Sequence, residues 1–387
     1  SFKWFILLVF LLPDRVAAIV PGGEKSAYWG AVFGIGATWA IIGPALFGSI
    51  SDRLGDRRPF ILLGSALTCL SMLALYWANG LLLLGGAYLL VQVADDLSTG
   101  PYSAVLPEAV ERDQRGLASG LMSGAMSLSQ VAAVLVMLLL PLSTAGLLVL
   151  IGALNLSTAV IVVRLIRKSQ ARRSPQQSFL QEWAGPWKDQ DFRAVWATRF
   201  LVTLGFYFIM PYANFYVRDM IADRRLLGYD LGSPDRATAV LAFLIALAGA
   251  AGSFAAGSAS DRLGRKPVTV GSVSVMAISL GIAAALLPGM NALSVIAIPF
   301  GLGYGAFQTA NWAMVSDVLP DPEGLGRDMG IWQTSISSVQ LVAGAAGVAI
   351  TFGNRLAPGG GYRLLFLLAA VVVAASGFAV RLIRSSR

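Results

Sequence analysis

The sequence predicts an all-α polytopic membrane protein, with twelve transmembrane helices arranged as two six-helix halves. Three observations predict it: a composition too apolar for water, a series of apolar runs of bilayer length, and a motif repeated at half-chain spacing. Of the 387 residues 56% are hydrophobic and only 13% are charged, whereas soluble domains carry about 25% charged residues. Mean hydropathy is +0.70. The formal charge of +8 does not indicate a nucleic-acid partner, because that needs a basic face on a soluble fold, and here charge sits in short loops between apolar runs. Cys69 is the sole cysteine and histidine is absent, so disulfide, zinc and Ser-His-Asp chemistry are not expected. Proton handling is left to Asp and Glu.

A hydrocarbon core of about 30 Å takes roughly 17 to 25 apolar residues per helix. Such runs start near Phe2, Ala27, Pro59, Leu81, Arg115, Thr144, Arg193, Ala237, Pro267, Asn291, Asp328 and Arg363. The first reads as a span, since no small-residue cleavage site leads into a soluble domain. It contains Pro13, expected to break the helix and expose carbonyls beside Asp14, and it stops at Pro21-Gly22-Gly23. The second ends in a charged turn before Pro59, and the third stops at Asn79-Gly80. The fourth contains Asp95 and Asp96, the fifth is rich in small residues, and the sixth leads into the longest hydrophilic stretch. The seventh contains Arg199, and the eighth ends in a second charged turn. The ninth stops at Pro288-Gly289, the tenth bears Gln308 and Asn311, and the eleventh stops at Pro358-Gly359-Gly360 before the last span.

If the odd-numbered helices run outward, 20 Lys and Arg fall on one side and 7 on the other, with Arg15 and Arg199 inside spans. The positive-inside rule then puts both termini in the cytoplasm. The stretch carrying Arg172, Arg173, Pro175, Gln176 and Gln177 divides six helices from six. The expected domains are an N-terminal bundle over 1–166, a cytoplasmic linker over 167–192 and a C-terminal bundle over 193–387. The linker's basic residues are read first as a positive-inside connection, with a headgroup or partner contact as the lesser alternative.

The halves share a repeat. Gly48-Ser-Ile-Ser-Asp52-Arg53-Leu54-Gly55-Asp56-Arg57-Arg58-Pro59 recurs as Gly257-Ser-Ala-Ser-Asp261-Arg262-Leu263-Gly264-Arg265-Lys266-Pro267. A weaker echo relates Ala104-Val-Leu-Pro-Glu108 to Ala313-Met-Val-Ser-Asp317, followed by Arg115 and Arg327. Two copies of a six-helix unit in one orientation imply an axis along the membrane normal. The pattern G-x-x-x-D-R-x-G-[RD]-[RK] between helices two and three, and again between eight and nine, resembles the signature of the major facilitator superfamily across the whole chain. Thr198–Tyr207, Gly100–Glu108 and Gln308–Asp317 are similar to bacterial relatives of the sucrose and glycoside/pentoside/hexuronide proton symporters. Gly48 and Gly257 permit close helix approach, and the Asp and Arg beside them can bond a facing helix start. The resemblance implies a latch on the cytoplasmic side, drawn from Gly48, Asp52, Arg53, Gly55, Glu108, Arg115, Gly257, Asp261, Arg262, Gly264, Asp317 and Arg327. The arginines also satisfy plain topology.

Ionisable residues within spans cost several kcal/mol against lipid and are functional candidates. They are Asp14, Arg15, Asp95, Asp96 and Arg199. At 1.5 Å per residue, Asp14 should lie about 18 Å from the inner end of its helix, with Asp95 and Arg199 both about 9 Å from the inner side. Equal depth makes Asp95 or Asp96 a candidate partner for Arg199 across the halves, with Arg15 the rival; a permanent packing pair is the alternative. Adjacent carboxylates in low dielectric do not both ionise easily, so one of them is expected to hold a proton.

Helical spacing sets polar stripes: Gln92 with the two acids, Gln130 on helix five, Arg199, Thr203, Tyr207 and Asn214 on helix seven, Tyr304, Gln308 and Asn311 on helix ten, and Gln333 and Gln340 on helix eleven. Gln, Asn and Tyr suit neutral hydroxyls, and interhelical bonding is their structural alternative. The resemblance places helices one, four, seven and ten around a central cavity. The expectation is therefore a secondary transporter in the plasma (inner) membrane, a proton symporter for a neutral polar solute such as a sugar. It needs no cofactor, acts in the lipid bilayer and, by resemblance, is a monomer. The alternatives are a proton antiporter exporting amphipathic compounds or lipids, and a non-transporting receptor. No phosphate-binding loop, metal cluster or catalytic triad marks an enzyme.

Overall fold

The computed structural model describes residues 2–20, 25–111, 114–140, 142–166, 183–321, 323–343 and 345–384. They form twelve helical spans, eleven of them long and apolar enough to cross a membrane on length and composition. The first, α1, joins Phe2–Ile6, Leu7–Leu11 and Leu12–Ile19. α2 joins Lys25–Ala40 to Gly43–Leu54, followed by α3 (Arg58–Trp77), α4 (Leu81–Ser103 and Val105–Ala109), α5 (Arg115–Leu139) and α6 (Thr144–Leu165). The second half comprises α7 (Gln190–Ile209 and Ala213–Met220), α8 (Pro234–Leu263), α9 (Arg265–Leu286), α10 (Met290–Val318), α11 (Leu325–Ala343 and Ala345–Leu356) and α12 (Gly360–Arg381). The linker residues 167–182, among them Arg172, Arg173, Pro175, Gln176 and Gln177, lie outside the described residues.

Side-chain caps start several of these helices. Ser143, Asp189 and Ser233 accept the N–H groups of Gly146, Phe192 and Arg236 at 3.2, 2.8 and 3.2 Å, which satisfies donors that a helix start leaves open. The break expected at Pro13 does not occur. A wide π turn over Leu7–Leu11 precedes it, and Leu11 and Leu12 keep helical angles. An extra residue in the preceding turn accommodates the missing N–H and the ring without opening the helix.

One small element departs from the all-α expectation. Between α7 and α8, β1 (Arg225–Leu226) pairs antiparallel with β2 (Tyr229–Asp230). Leu227 and Gly228, at φ 51° and 90°, make the two-residue turn that matches strand twist. This hairpin marks one end of the bundle; the two repeats mark the other, called here the basic end.

α3, α6, α9 and α12 expose rows of apolar side chains, such as Leu63, Leu70, Val149, Ile161, Ile278, Leu286, Leu367 and Val371, which lipid would cover. Each half has its own core, but a third buried cluster crosses between them: Ala45 of α2 packs with Val195 of α7, Trp312 and Val315 of α10, and Ile331 and Trp332 of α11. The crossing depends on glycine. A Cβ on Gly48 would collide with the carbonyl oxygen of Gly326 on α11, and one on Gly120 of α5 would come within 2.8 Å of Gly257 Cα on α8. Replacing Gly48 by valine is expected to cost about 1–3 kcal/mol of overpacking, read as a lowered thermal midpoint of the purified protein, with Gly271→Val, which meets open space, as the unaffected control.

Candidate functional site

At the basic end the two halves are joined by a reciprocal arrangement. Asp52, at the end of α2, accepts the backbone N–H groups of Gly326 at 3.1 Å and Arg327 at 2.9 Å, in the first turn of α11. Asp261, at the end of α8, accepts the N–H of Leu117 at 3.0 Å, in the first turn of α5. Each aspartate therefore caps a helix of the opposite half, where the unsatisfied N–H groups and the helix dipole both favour an anion. Arg57 is fully buried and holds Asp52 from behind at 2.7 Å while forming an ion pair with Glu108. Burial works against the Arg57 charge, but the Glu108 hydrogen bonds and the Asp52 charge outweigh it and raise its pKa above the ordinary arginine value. In the second half Arg265 pairs with Asp317 and donates to the Ala313 carbonyl at 2.7 Å. Arg115 adds a cross-half bond to the Ser316 carbonyl at 2.5 Å.

Inside the bundle the two acids of α4 have different partners. Asp95 is ion-paired with Lys3 and accepts from Trp4 Nε1 at 2.6 Å, both on α1. Asp96 is 3% exposed; its Oδ1 accepts from Gln92 at 3.0 Å and its Oδ2 has no partner. That free oxygen lies beside Gly43 of α2, where the Trp39 indole N–H is also close and also unbonded. Arg199 of α7 is 2% exposed, and its Nε and Nη1 have no partner. Its guanidinium lies 3.4 Å from the ring centre of Trp332 and 5.6 Å from that of Trp312.

Around Arg199, Tyr207 stacks on Phe33 of α2 and Tyr304 on Phe206, with centroids 6.1 and 4.4 Å apart. Gln308 donates to the Tyr304 hydroxyl at 3.4 Å. Asn311 is fully buried with neither amide atom bonded, and Gln340 is buried beside Tyr207 with its Oε1 free. Gln130 and Gln333 are half-buried.

A family model described as MFS/sugar transport protein matches residues 23–383. The chain belongs to this family. It is a multi-pass membrane protein and a secondary transporter. No individually curated protein matches the sequence. The human organic anion transporter MFSD10 shares the fold, with TM-score 0.72 and 14% identity over 98% of this chain and 88% of that one. So does a bacterial homologue of the iron transporter ferroportin in an outward-facing state, with TM-score 0.69 and 16% identity over 98% and 94%.

Several expectations for the transporter are corrected by its geometry. Neither Asp95 nor Asp96 forms an ion pair with Arg199 among the described residues. α4 continues to Ala109, so Asp95 lies about 21 Å from either end, whereas Arg199 lies about 14 Å from the start of α7; the depths are not equal. Asp14 is exposed and near the charges of Asp235 and Arg218, at the hairpin end. The depth count placed it mid-membrane by taking Phe2 as the inner surface, yet Lys3 meets Asp95 halfway along α4. Arg15 does not approach the acids: its Nη2 donates to the carbonyls of Leu75, Tyr76 and Ala78 at 3.2, 2.8 and 3.4 Å, closing the open end of α3. Asn214 bonds Asp235 at 2.7 Å at the hairpin end, because the turn Met210–Tyr212 displaces it from the stripe of α7.

Within the latch set, Arg53 and Arg262 are exposed, since a residue next to a cross-half aspartate points about 100° away from it. Gly55 and Gly264, at φ 67° and 91°, turn the chain between helices. Glu108 bonds Arg57 of its own half, and the Arg327 side chain bonds Asp321 and Asp328 of its own half at 2.9 and 2.7 Å, while only its N–H meets Asp52. The sequence reading did not single out Lys3, Trp39 or Arg265, and it left Arg57, which is buried, open between latch and plain topology. Aligning the repeats backward from Pro59 and Pro267 would have paired Arg57 with Arg265. Asp52→Asn is expected to weaken the cap on α11 by about 1.5–3 kcal/mol, seen as faster hydrogen exchange of the Gly326 and Arg327 amides with little change at Leu117; Asp261→Asn should give the opposite pattern.

Proposed function

We propose that the protein is a proton-coupled symporter of a polar, sugar-like solute, working by alternating access in the plasma membrane as a monomer with both termini cytoplasmic. The observation that carries the coupling is the free Oδ2 of buried Asp96, set against the free indole N–H of Trp39 across Gly43. Asp95 already has Lys3 for a counter-charge, so Asp96 is the carboxyl whose charge can change. Neutral, it is tolerated in a dry interface between α4 and α2; ionised, it needs water or a donor. Moving the proton on or off would therefore bias whether α2 stays packed on α4. α2 also supplies Asp52 to the closed basic end, which links the proton to the gate. Gln308, Gln333, Gln340, Tyr207 and Tyr304 offer the mixed donors and acceptors that hydroxyls require, and the description of the family model as a sugar transport protein supports that class.

A second reading, proton-driven export of amphipathic compounds, is favoured by one observation. An apolar pocket lies where α1 meets the second half, lined by Val9, Ile209, Leu241, Ile245, Phe300 and Phe366 among others. Internal pH of liposomes carrying the protein separates the two. Sugar-dependent proton entry is expected for symport, and proton exit driven only by lipophilic cations would establish the exporter. Asp96→Asn is expected to abolish solute-driven proton movement while solute exchange persists; Asp14→Asn and Arg15→Gln should stay within about twofold of the wild type. Unaltered coupling in Asp96→Asn would remove Asp96 from the mechanism.

A further inference from the structure

The hairpin between α7 and α8 has two unlike faces. Its register sets Arg225 opposite Asp230 and Leu226 opposite Tyr229, and residues opposite one another share a face. On the charged face Arg225 and Asp230 are both exposed. On the other, Leu226 packs against the core of the second half. Its cross-strand neighbour Tyr229 is nevertheless 80% exposed, and Leu227 at the turn is 85% exposed. The apolar face therefore starts on the protein and runs past its rim. The turn is also strained: Leu227 takes φ 51°, a left-handed angle that asparagine or glycine adopts readily and leucine does not. Contact with water gives nothing to offset a strained, exposed leucine, whereas an apolar surrounding does.

The helix that holds the tip shows what lies past the rim. The Leu227 N–H donates to Asn291 Oδ1 at 3.0 Å, and Asn291 is the second residue of α10. Along that helix Asn291, Val295, Ile298 and Leu302 fall within an arc of only about 60°, and all four are exposed. Tyr304 and Gln308, the polar stripe of the same helix, lie about 110–150° round from the centre of that arc. The exposed row is thus turned away from the polar interior and belongs to the lipid-facing surface, as do Ile278, Ile282 and Leu286 of the adjoining α9. It changes from apolar to polar at Asn291, where hydrocarbon gives way to headgroups. The hairpin tip is pinned at that level, on the lipid side of α10.

We propose that Leu227 and Tyr229 enter the bilayer at the boundary between phospholipid headgroups and acyl chains. The leucine lies among the chains and the tyrosine hydroxyl among the ester and phosphate oxygens, while Arg225 and Asp230 stay in water on the opposite face. The partner of this surface is phospholipid. The contact gives the connection between α7 and α8 a fixed foot on the membrane, and it holds whichever solute the chain carries.

The test uses the full chain with Cys69→Ala, which leaves no other thiol, in phosphatidylcholine nanodiscs. Single cysteines are placed by Leu227→Cys, Tyr229→Cys and, on the charged face, Asp230→Cys, and each is labelled with bimane. All three positions lie outside the buried cores, so folding is not at stake. Phosphatidylcholine spin-labelled at its headgroup should quench the labels at 227 and 229 several-fold more strongly than the label at 230, and iodide in the buffer should give the reverse order. Iodide quenching at 227 equal to that at 230 would place the tip in water, and shielding from both quenchers would place it under protein; either result overturns the proposal. The rate at which the unlabelled cysteines react with a charged maleimide, which stays in water, removes any preference of the dye for lipid. Reaction several-fold slower at 227 and 229 than at 230 is expected, and equal rates would overturn the insertion.

Discussion

Two backbone-to-carboxylate caps hold the arrangement together: Asp52 on the first turn of α11 and Asp261 on the first turn of α5. Each takes a charge from the end of one half and places it where the other half presents open N–H groups. Such a bond is strong when dry and exchangeable when wet, a property that a reversible contact between two rigid bundles needs. It is possible only because Gly48 and Gly257 let the helix backbones come close enough for a short side chain to reach.

Behind the caps the halves follow one plan with different details. Arg57 bonds Glu108, and Arg265 bonds Asp317, so each half secures the end of its fourth helix to the start of its third. The copies then diverge. Arg57 also braces Asp52, Arg115 reaches across to the Ser316 carbonyl, and Arg327 is retained at home by Asp321 and Asp328. Deeper in, the first half keeps an acid with a free oxygen and the second a cation with free nitrogens. Pseudo-symmetry built the frame, and the departures from it mark the chemistry.

The sequence made much of this legible. Span starts agree to within a few residues because bilayer thickness imposes a length that apolar runs must meet. The repeat located Asp52 and Asp261 because a motif kept in two copies is visible without coordinates. Asp96 and Arg199 were found because charge in an apolar run is conspicuous. What failed was pairing. Lys3 was counted with the basic loops although it neutralises Asp95, and Arg15 was offered to the acids although it closes the end of α3. Depth along one helix was estimated from its ends, and an error of a turn at an end moves a side chain by about 5 Å, enough to change its partner.

By itself, then, the sequence determined the class of protein, the number and order of its spans, its two-fold internal plan and the presence of Asp95, Asp96 and Arg199 within apolar runs, while it misplaced Lys3 and Asp14. These follow from local quantities: hydropathy, length, turn residues and repetition. Only the tertiary structure decided which of those charges are satisfied. Asp95 is paired and Asp96 is not; Arg15 is bonded and Arg199 rests on indole rings. The reason is that a hydrogen bond is made or lost over less than an ångström, and that distance is set by how neighbouring helices rotate and shift against one another, which no single helix encodes.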